Sequence, residues 1–341
     1  MLHFDSDYMR GAHPEIMKRL TETNMEQTPG YGTDDYSRKA EKLILDECGI
    51  KKGKVWFLVG GTQTNSTVID ALLNHQEGVL AADTAHINTH EAGAIEFTGH
   101  KVLALPNHEG KITARDVDNY IKEFYSDESW DHCVTPSMVY ISQPTEFGTI
   151  YSLKELKTLS KVCHKHKIPI YLDGARLGYA LAAKTNDVTL KDIALLCDVF
   201  YIGGTKVGCL FGEAVVTGKP KLLKNFFPII KQHGALLSKG RLTALQFQAL
   251  FTDDLYQSIS RNAIDKALEI KKAFLDKGFE LYIDSPTNQQ FFLLPNDIID
   301  KLREHVTFEQ WGPKGKEKTA VRFVTDWATS DKEIKELISL L

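Results

Sequence analysis

The sequence lacks several features that would each settle a class. Its five cysteines, Cys48, Cys133, Cys163, Cys197 and Cys209, contain no C-x-x-C pair and are odd in number. Free thiols in a reducing compartment therefore fit better than a disulfide framework. No apolar run approaches the roughly 18 residues of a membrane span. Residues Met1–Asp7 carry neither the basic segment nor the apolar core of a secretory leader, so a cytoplasmic location is expected. The net charge is −4 rather than strongly positive, which argues against a nucleic-acid surface. The Lys-rich stretch Gly312–Lys318 is short, contains Glu317 and reads as a solvated loop. There is no internal repeat, no low-complexity segment, no G-x-G-x-x-G and no Walker motif.

What is present is the ordinary balance of a globular protein. The 341 residues are 43% hydrophobic and 25% charged, enough for a large domain and a smaller one. Short apolar runs at Val55–Val59, Val79–Ala81, Val102–Leu105, Met138–Ser142, Ile168–Leu172 and Val199–Ile202 alternate with helical patterns. Unbroken apolar strands separated by helices predict an α/β fold with a mostly parallel sheet covered on both faces. Ligands are then expected at the carboxyl ends of the strands. After Gly218 long helical patterns cover Lys219–Phe251, with Pro228 expected to divide them, and Leu255–Lys277. Four further strand patterns, at Phe279–Ile283, Gln290–Leu294, Val306–Phe308 and Val321–Thr325, predict a smaller C-terminal α/β unit. The expected division is 1–250 for the N-terminal segment and large domain and 251–341 for the small domain.

Four places carry chemistry. In Ile170-Tyr171-Leu172-Asp173-Gly174-Ala175-Arg176, a carboxylate ends a buried strand and a glycine permits a tight turn. A buried carboxylate needs a cationic partner. Either Arg176 supplies it, as a structural ion pair, or Asp173 keeps a pyridine nitrogen protonated and makes that ring an electron sink. Thirty-three residues on, Gly203-Gly204-Thr205-Lys206 places a lysine just past another strand, where it can form an imine with an aldehyde. Gly60-Gly61-Thr62 opens a helix whose free amides suit a phosphate monoester, with Thr205 a possible further hydroxyl. His86 follows the strand Val79–Ala81, and His90 and Glu91 follow it. That spacing is not His-Glu-x-x-His, so His86 reads better as a plate against a cofactor ring than as a metal ligand.

In this order the motifs resemble the threonine aldolases of the β-eliminating lyase group, within the aspartate-aminotransferase-like fold that uses pyridoxal 5'-phosphate (PLP). The resemblance runs from Asp5-Ser6-Asp7 through Gly30-Tyr31-Gly32, Gly61-Thr62, His86, Glu91, Asp173–Arg176 and Lys206 to Val321-Arg322-Phe323-Val324-Thr325. It implies that Lys206 holds PLP as a Schiff base, Asp173 pairs with the ring nitrogen and His86 stacks on the ring. It also implies that Gly61 and Thr62 bind the phosphate, and that Arg322, with Ser6 and Arg176, holds the substrate carboxylate. Cleavage of an L-β-hydroxy-α-amino acid to glycine and an aldehyde follows, with His86 or Glu91 as the base at the β-hydroxyl. A homodimer, or a tetramer of two such dimers, with shared active sites is implied as well. Gly30-Tyr31-Gly32 and Lys239 are the candidates to reach across.

The chain departs from the family pattern at four places. It has Gly60-Gly61-Thr62 where Ser-Gly-Thr is common, and Gly204-Thr205 before the lysine where Leu-Ser is frequent. Lys239, or a displaced Arg241, stands where a phosphate-binding arginine is expected. Gln143-Pro144-Thr145-Glu146 lacks a histidine found in many members. Two alternatives stay open: a PLP-dependent β-eliminating lyase acting on an aromatic or sulfur amino acid, and a PLP-binding regulatory protein without turnover.

Overall fold

The computed structural model describes residues 1–341. Seven strands form the main sheet in the spatial order Lys54–Leu58, Glu213–Thr217, Val199–Gly203, Ile170–Asp173, Thr135–Ser142, Glu77–Ala82 and Lys101–Leu105. Its central strands are buried along their whole length, and Tyr171, Phe200, Tyr201 and Ile202 are at most 1% exposed. Burying each large apolar side chain of this kind contributes roughly 1.5–3 kcal/mol. Helices must cover both faces for such strands to hold together.

Every predicted strand of the main sheet is present, and one further strand joins them. Glu213–Thr217 pairs antiparallel with both Lys54–Leu58 and Val199–Gly203, so the sheet is parallel except at this insertion. No helix separates this strand from Val199–Gly203, so it falls outside the strand–helix alternation from which the others were read. Two helical expectations are also corrected. The pattern near Thr89–Ile95 divides into short helices His86–Thr89 and Ala94–Phe97, because Ala92 and Gly93 between them adopt positive φ. The stretch Lys219–Phe251 becomes a 3₁₀ turn, Pro220–Leu223, and helices Phe226–Gln232 and Arg241–Leu250. Pro228 sits in the first turn of its helix, where it is tolerated. The break comes instead at Gly234, whose φ is +66°.

The helix Leu255–Asp276 leads to a second sheet, ordered Glu309–Gln310, Lys318–Val324, Gln289–Pro295 and Glu280–Ile283, all antiparallel. Its core contains Phe274, Phe292 and Phe323, joined by Leu2 and Phe4. The first strand, Leu2–His3, pairs parallel with Val306–Thr307, so the amino-terminal residues cross to this second core. That crossing carries Asp5, Ser6 and Tyr8 to the outer cleft and buries Asp7 between them.

Candidate active site

Two strand ends create the site. Gly174 and Gly203 let the ends of Ile170–Asp173 and Val199–Gly203 come together. A Cβ on Gly174 would lie 2.0 Å from the Tyr201 carbonyl oxygen, and one on Gly203 would lie 2.2 Å from that of Ala175. The Gly203 amide donates to the Gly174 carbonyl at 2.9 Å. The requirement at Gly174 is thus close approach of two backbones rather than an unusual φ. It brings Asp173 and Lys206 to one cavity.

The inner part of that cavity, about 50 Å³, is lined by Gly61, His86, Glu91, Asp173, Tyr201 and Lys206 among others. Asp173 is buried. Its Oδ2 accepts from the Tyr140 hydroxyl at 2.6 Å and from Asn65 Nδ2 at 2.8 Å, and its Oδ1 accepts from the Ala175 amide at 2.9 Å. Burial alone would raise its pKa. The Tyr140 hydroxyl, its other donors and the nearby His86 outweigh burial and hold the carboxyl below the ordinary value. All three of these hydrogen-bond donors are neutral. Arg176, the cation that the sequence offered as a partner, points elsewhere. Its Nε and Nη2 form a fork on Asp7 at 2.6 and 3.0 Å, and Asn288 Nδ2 also donates to Asp7 at 3.0 Å.

Lys206 lines both parts of the cavity, and its ammonium makes neither an ion pair nor a hydrogen bond. Burial, then repulsion from Arg176, bring its pKa down to about 8, with Asp7, Asp173 and Glu213 opposing the shift. Tyr201 Oη is buried without a partner, and a Cβ on Gly61 would lie 3.2 Å from it. Gly61 opens the helix Gly61–Leu72, whose N-cap Gly60 has no side chain to bond its first amides. His86 Nδ1 pairs with Glu91 Oε1 at 2.7 Å, and Asn65 Nδ2 bonds the same oxygen at 2.8 Å. The Tyr171 hydroxyl fixes Asn65 Oδ1 at 2.9 Å. One asparagine therefore joins Asp173 to the His86–Glu91 pair. Glu91 Oε2 is sealed from solvent and bonds to nothing.

The outer part, about 350 Å³, shares His86, Glu146, Arg176 and Lys206 with the inner part and adds Ser6, Gln289, Glu309, Trp311 and Arg322. Arg322 lies over the Trp311 ring, 5.0 Å from its centroid. It donates from Nη1 to Gln289 Oε1 at 2.6 Å and from Nη2 to Glu309 Oε2. Its Nε has no partner, and neither does Ser6 Oγ. His86, His90 and Trp311 form a column of near-parallel rings, with centroids 5.7 and 6.5 Å apart.

The structure thus gathers Ser6, Gly61, His86, Glu91, Asp173, Arg176, Lys206 and Arg322 around one cleft. Other candidates lie outside its lining. Thr62 is exposed on a neighbouring groove. The Thr205 hydroxyl donates to Glu213 Oε1 at 2.9 Å and accepts from the Gly212 amide at 3.0 Å. Lys239 is exposed. Arg241 is buried and donates to Thr23 Oγ1 at 3.1 Å. Sequence reasoning missed Asp7, Asn65, Tyr140, Glu146 and Tyr201. Asp7 stood within Asp5-Ser6-Asp7, Asn65 within Gly60–Asn65, Tyr201 in the strand before Lys206 and Glu146 within Gln143–Glu146, but none of them was given a role.

The pocket fits PLP on its own features. A buried carboxylate with no cation beside it suits a pyridinium, an unpaired lysine suits an aldehyde, and uncapped amides suit a phosphate. Comparisons with known proteins agree. Residues 3–289 match the Beta-eliminating lyase family. The chain is 30% identical over 349 residues to the low specificity L-threonine aldolase of Pseudomonas sp. (strain NCIMB 10558), covering 98% of this chain and 95% of that protein. It superposes on Leishmania major threonine aldolase with a TM-score of 0.96 at 38% identity, covering 100% and 98% of the two chains. Aspartate aminotransferase from Thermus thermophilus, at 11% identity, shares the fold with a TM-score of 0.72 over 100% and 90% of the chains.

Proposed function

Because the chain belongs to the beta-eliminating lyase family, we propose that it is a PLP-dependent aldolase cleaving L-threonine, L-allo-threonine and similar β-hydroxy-α-amino acids to glycine and an aldehyde. The observation that carries this reading is the convergence of Asp173, Lys206 and Arg322 on one cleft. Bound there, PLP supplies an electron sink for the pair released when the Cα–Cβ bond breaks.

The chain's own residues do the rest. Asp173 keeps a proton on the ring nitrogen, and its neutral donors leave its charge free for that task. Lys206, brought down to about 8, offers a free amine to an aldehyde near neutral pH. His86, held by Glu91, presents a flat ring to the inner cavity. The Gly61 and Thr62 amides are free for the phosphate. Arg322 takes the substrate carboxylate, which displaces Glu309 from the guanidinium and gains a planar fork. Ser6 Oγ, now without a partner, supplies a further donor beside it. Arg176 contributes through Asp7: the pair braces the amino-terminal segment that bears Ser6.

No helix is long and apolar enough to cross a membrane. The five free cysteines, four of them buried, support a cytoplasmic location. We propose a homodimer, or a tetramer made of such dimers, in which Gly30-Tyr31-Gly32 and the exposed Lys239 reach the partner's cleft. The Tyr31 amide donates to the Ser238 carbonyl at 3.0 Å, which places Gly30-Tyr31-Gly32 beside Lys239 and outside this chain's own cleft.

Product analysis tests the reaction. Incubation with L-threonine or L-allo-threonine releases acetaldehyde and glycine in equal amounts. Ammonia with a keto acid would instead identify a β-eliminating lyase, and no turnover would identify a binding protein.

A further inference from the structure

Glu146 closes the segment Gln143-Pro144-Thr145-Glu146 and was given no role in the sequence, yet it lines both parts of the cleft. The strand Thr135–Ser142 delivers it, and two donors orient it. The His86 backbone amide at 3.0 Å and Ser142 Oγ at 2.8 Å both address Oε1. Oε2 takes no donor and stays open to the cavity that Lys206, His86 and Arg176 also line. The competing carboxylate, Glu91, is placed differently. Its Oε1 is committed to His86 and Asn65, and its Oε2 is sealed off. Glu91 can orient His86 but does not present an oxygen to a substrate.

We propose that Glu146 is a catalytic residue, with Oε2 taking the proton of the substrate's β-hydroxyl; this rests on the aldol cleavage proposed above. The ionised carboxylate accepts the hydroxyl proton, and the former O–H electron pair becomes the second bond of the aldehyde carbonyl. The Cα–Cβ bond breaks and leaves its electron pair with Cα, where a proton from solvent then completes glycine. In the reverse direction the protonated acid returns its proton to the new alkoxide. Burial raises the Glu146 pKa, which brings proton uptake and release closer to neutrality. Its neighbours Ser142 and His86 pull the other way.

The test separates the β-hydroxyl from the α-carbon. Glu146→Gln keeps an acceptor for the His86 amide and Ser142 but removes the base. In the PLP-loaded enzyme, threonine cleavage is expected to fall roughly 10²-fold or more. Exchange of the glycine α-hydrogen in D₂O, which involves no β-hydroxyl, is expected to keep the wild-type rate. Glu146→Asp retains the carboxylate at a shorter reach and lowers cleavage less than Gln does, again more than exchange; it decides the matter if the Gln variant does not fold. Equal losses in the two reactions, or unchanged cleavage, overturn the assignment. Absence of cleavage by the wild-type enzyme overturns the aldolase reading itself, and this inference with it.

Discussion

Two buried aspartates stand within the same cleft walls and are treated in opposite ways. Asp7 is closed: the Arg176 fork and Asn288 satisfy it within the chain. Asp173 is open: a tyrosine, an asparagine and a backbone amide surround it, and no arginine or lysine pairs with it. Both carboxyls lie below the ordinary pKa despite burial. A structural ion pair completes its own charge balance, whereas a cofactor site leaves one charge for the ligand to balance. The difference tells a brace from a binding group where the residue type cannot.

The largest effect expected is at the lysine that shares the open aspartate's cavity. Lys206→Ala reduces turnover to background, and borohydride, which fixes the cofactor on Lys206 in the wild type, labels nothing there in the variant. Peptide mapping of the reduced adduct to a different lysine would reassign the site.

The closed aspartate gives the next largest effect, and it falls on stability. Asp7→Asn strands the Arg176 guanidinium in a buried place, which costs about 3–5 kcal/mol. Denaturant unfolding of the cofactor-free protein measures this, and a loss as small as that of an exposed ion pair would erase the contrast between the two aspartates.

Arg322→Lys keeps the charge and loses the fork. KM for amino acid substrates is expected to rise roughly tenfold or more, the scale of one charge-assisted hydrogen bond, while the absorbance of the bound cofactor stays normal. An unchanged KM would move the carboxylate anchor away from Arg322.

The smallest effect is a pH dependence. The free amine is the form of Lys206 that attacks an aldehyde, and its pKa is lowered to about 8 from an ordinary 10.5. Reloading of cofactor-free protein with PLP therefore speeds up as pH rises through about 8 and levels off above it. In the same window the unfolded chain binds more protons at this lysine than the folded chain does, so its contribution to stability grows as pH rises from about 8 toward 10.5. Stopped-flow absorbance against pH checks the first statement. A midpoint near 10.5 would mean that burial does not act on Lys206.

Much of this was legible in the sequence, for reasons that also explain the remainder. The parallel strands show because burial on both faces writes apolar runs, and Asp173 and Lys206 show because they interrupt polarity rules at the ends of those runs. The antiparallel strand Glu213–Thr217 does not, since no helix separates it from Val199–Gly203 and it breaks the strand–helix alternation. Partners distant along the chain leave no local trace. Asn65 meets Asp173 from 108 positions away, and Asp7 meets Arg176 from 169. Hence Arg176 looked like a partner for its near neighbour in sequence, although the fold gives it to the amino terminus.

Asp173→Asn tests the central claim, that the open carboxylate exists to hold the cofactor's ring nitrogen. PLP titrated into the cofactor-free variant and followed by visible absorbance is expected to bind about 1.5–3 kcal/mol more weakly, roughly a 10- to 150-fold loss of affinity. Turnover of the saturated variant falls with it. Wild-type affinity together with near-normal kcat would contradict the account, because a neutral amide would then serve the ring nitrogen as well as the charge that the fold leaves unpaired.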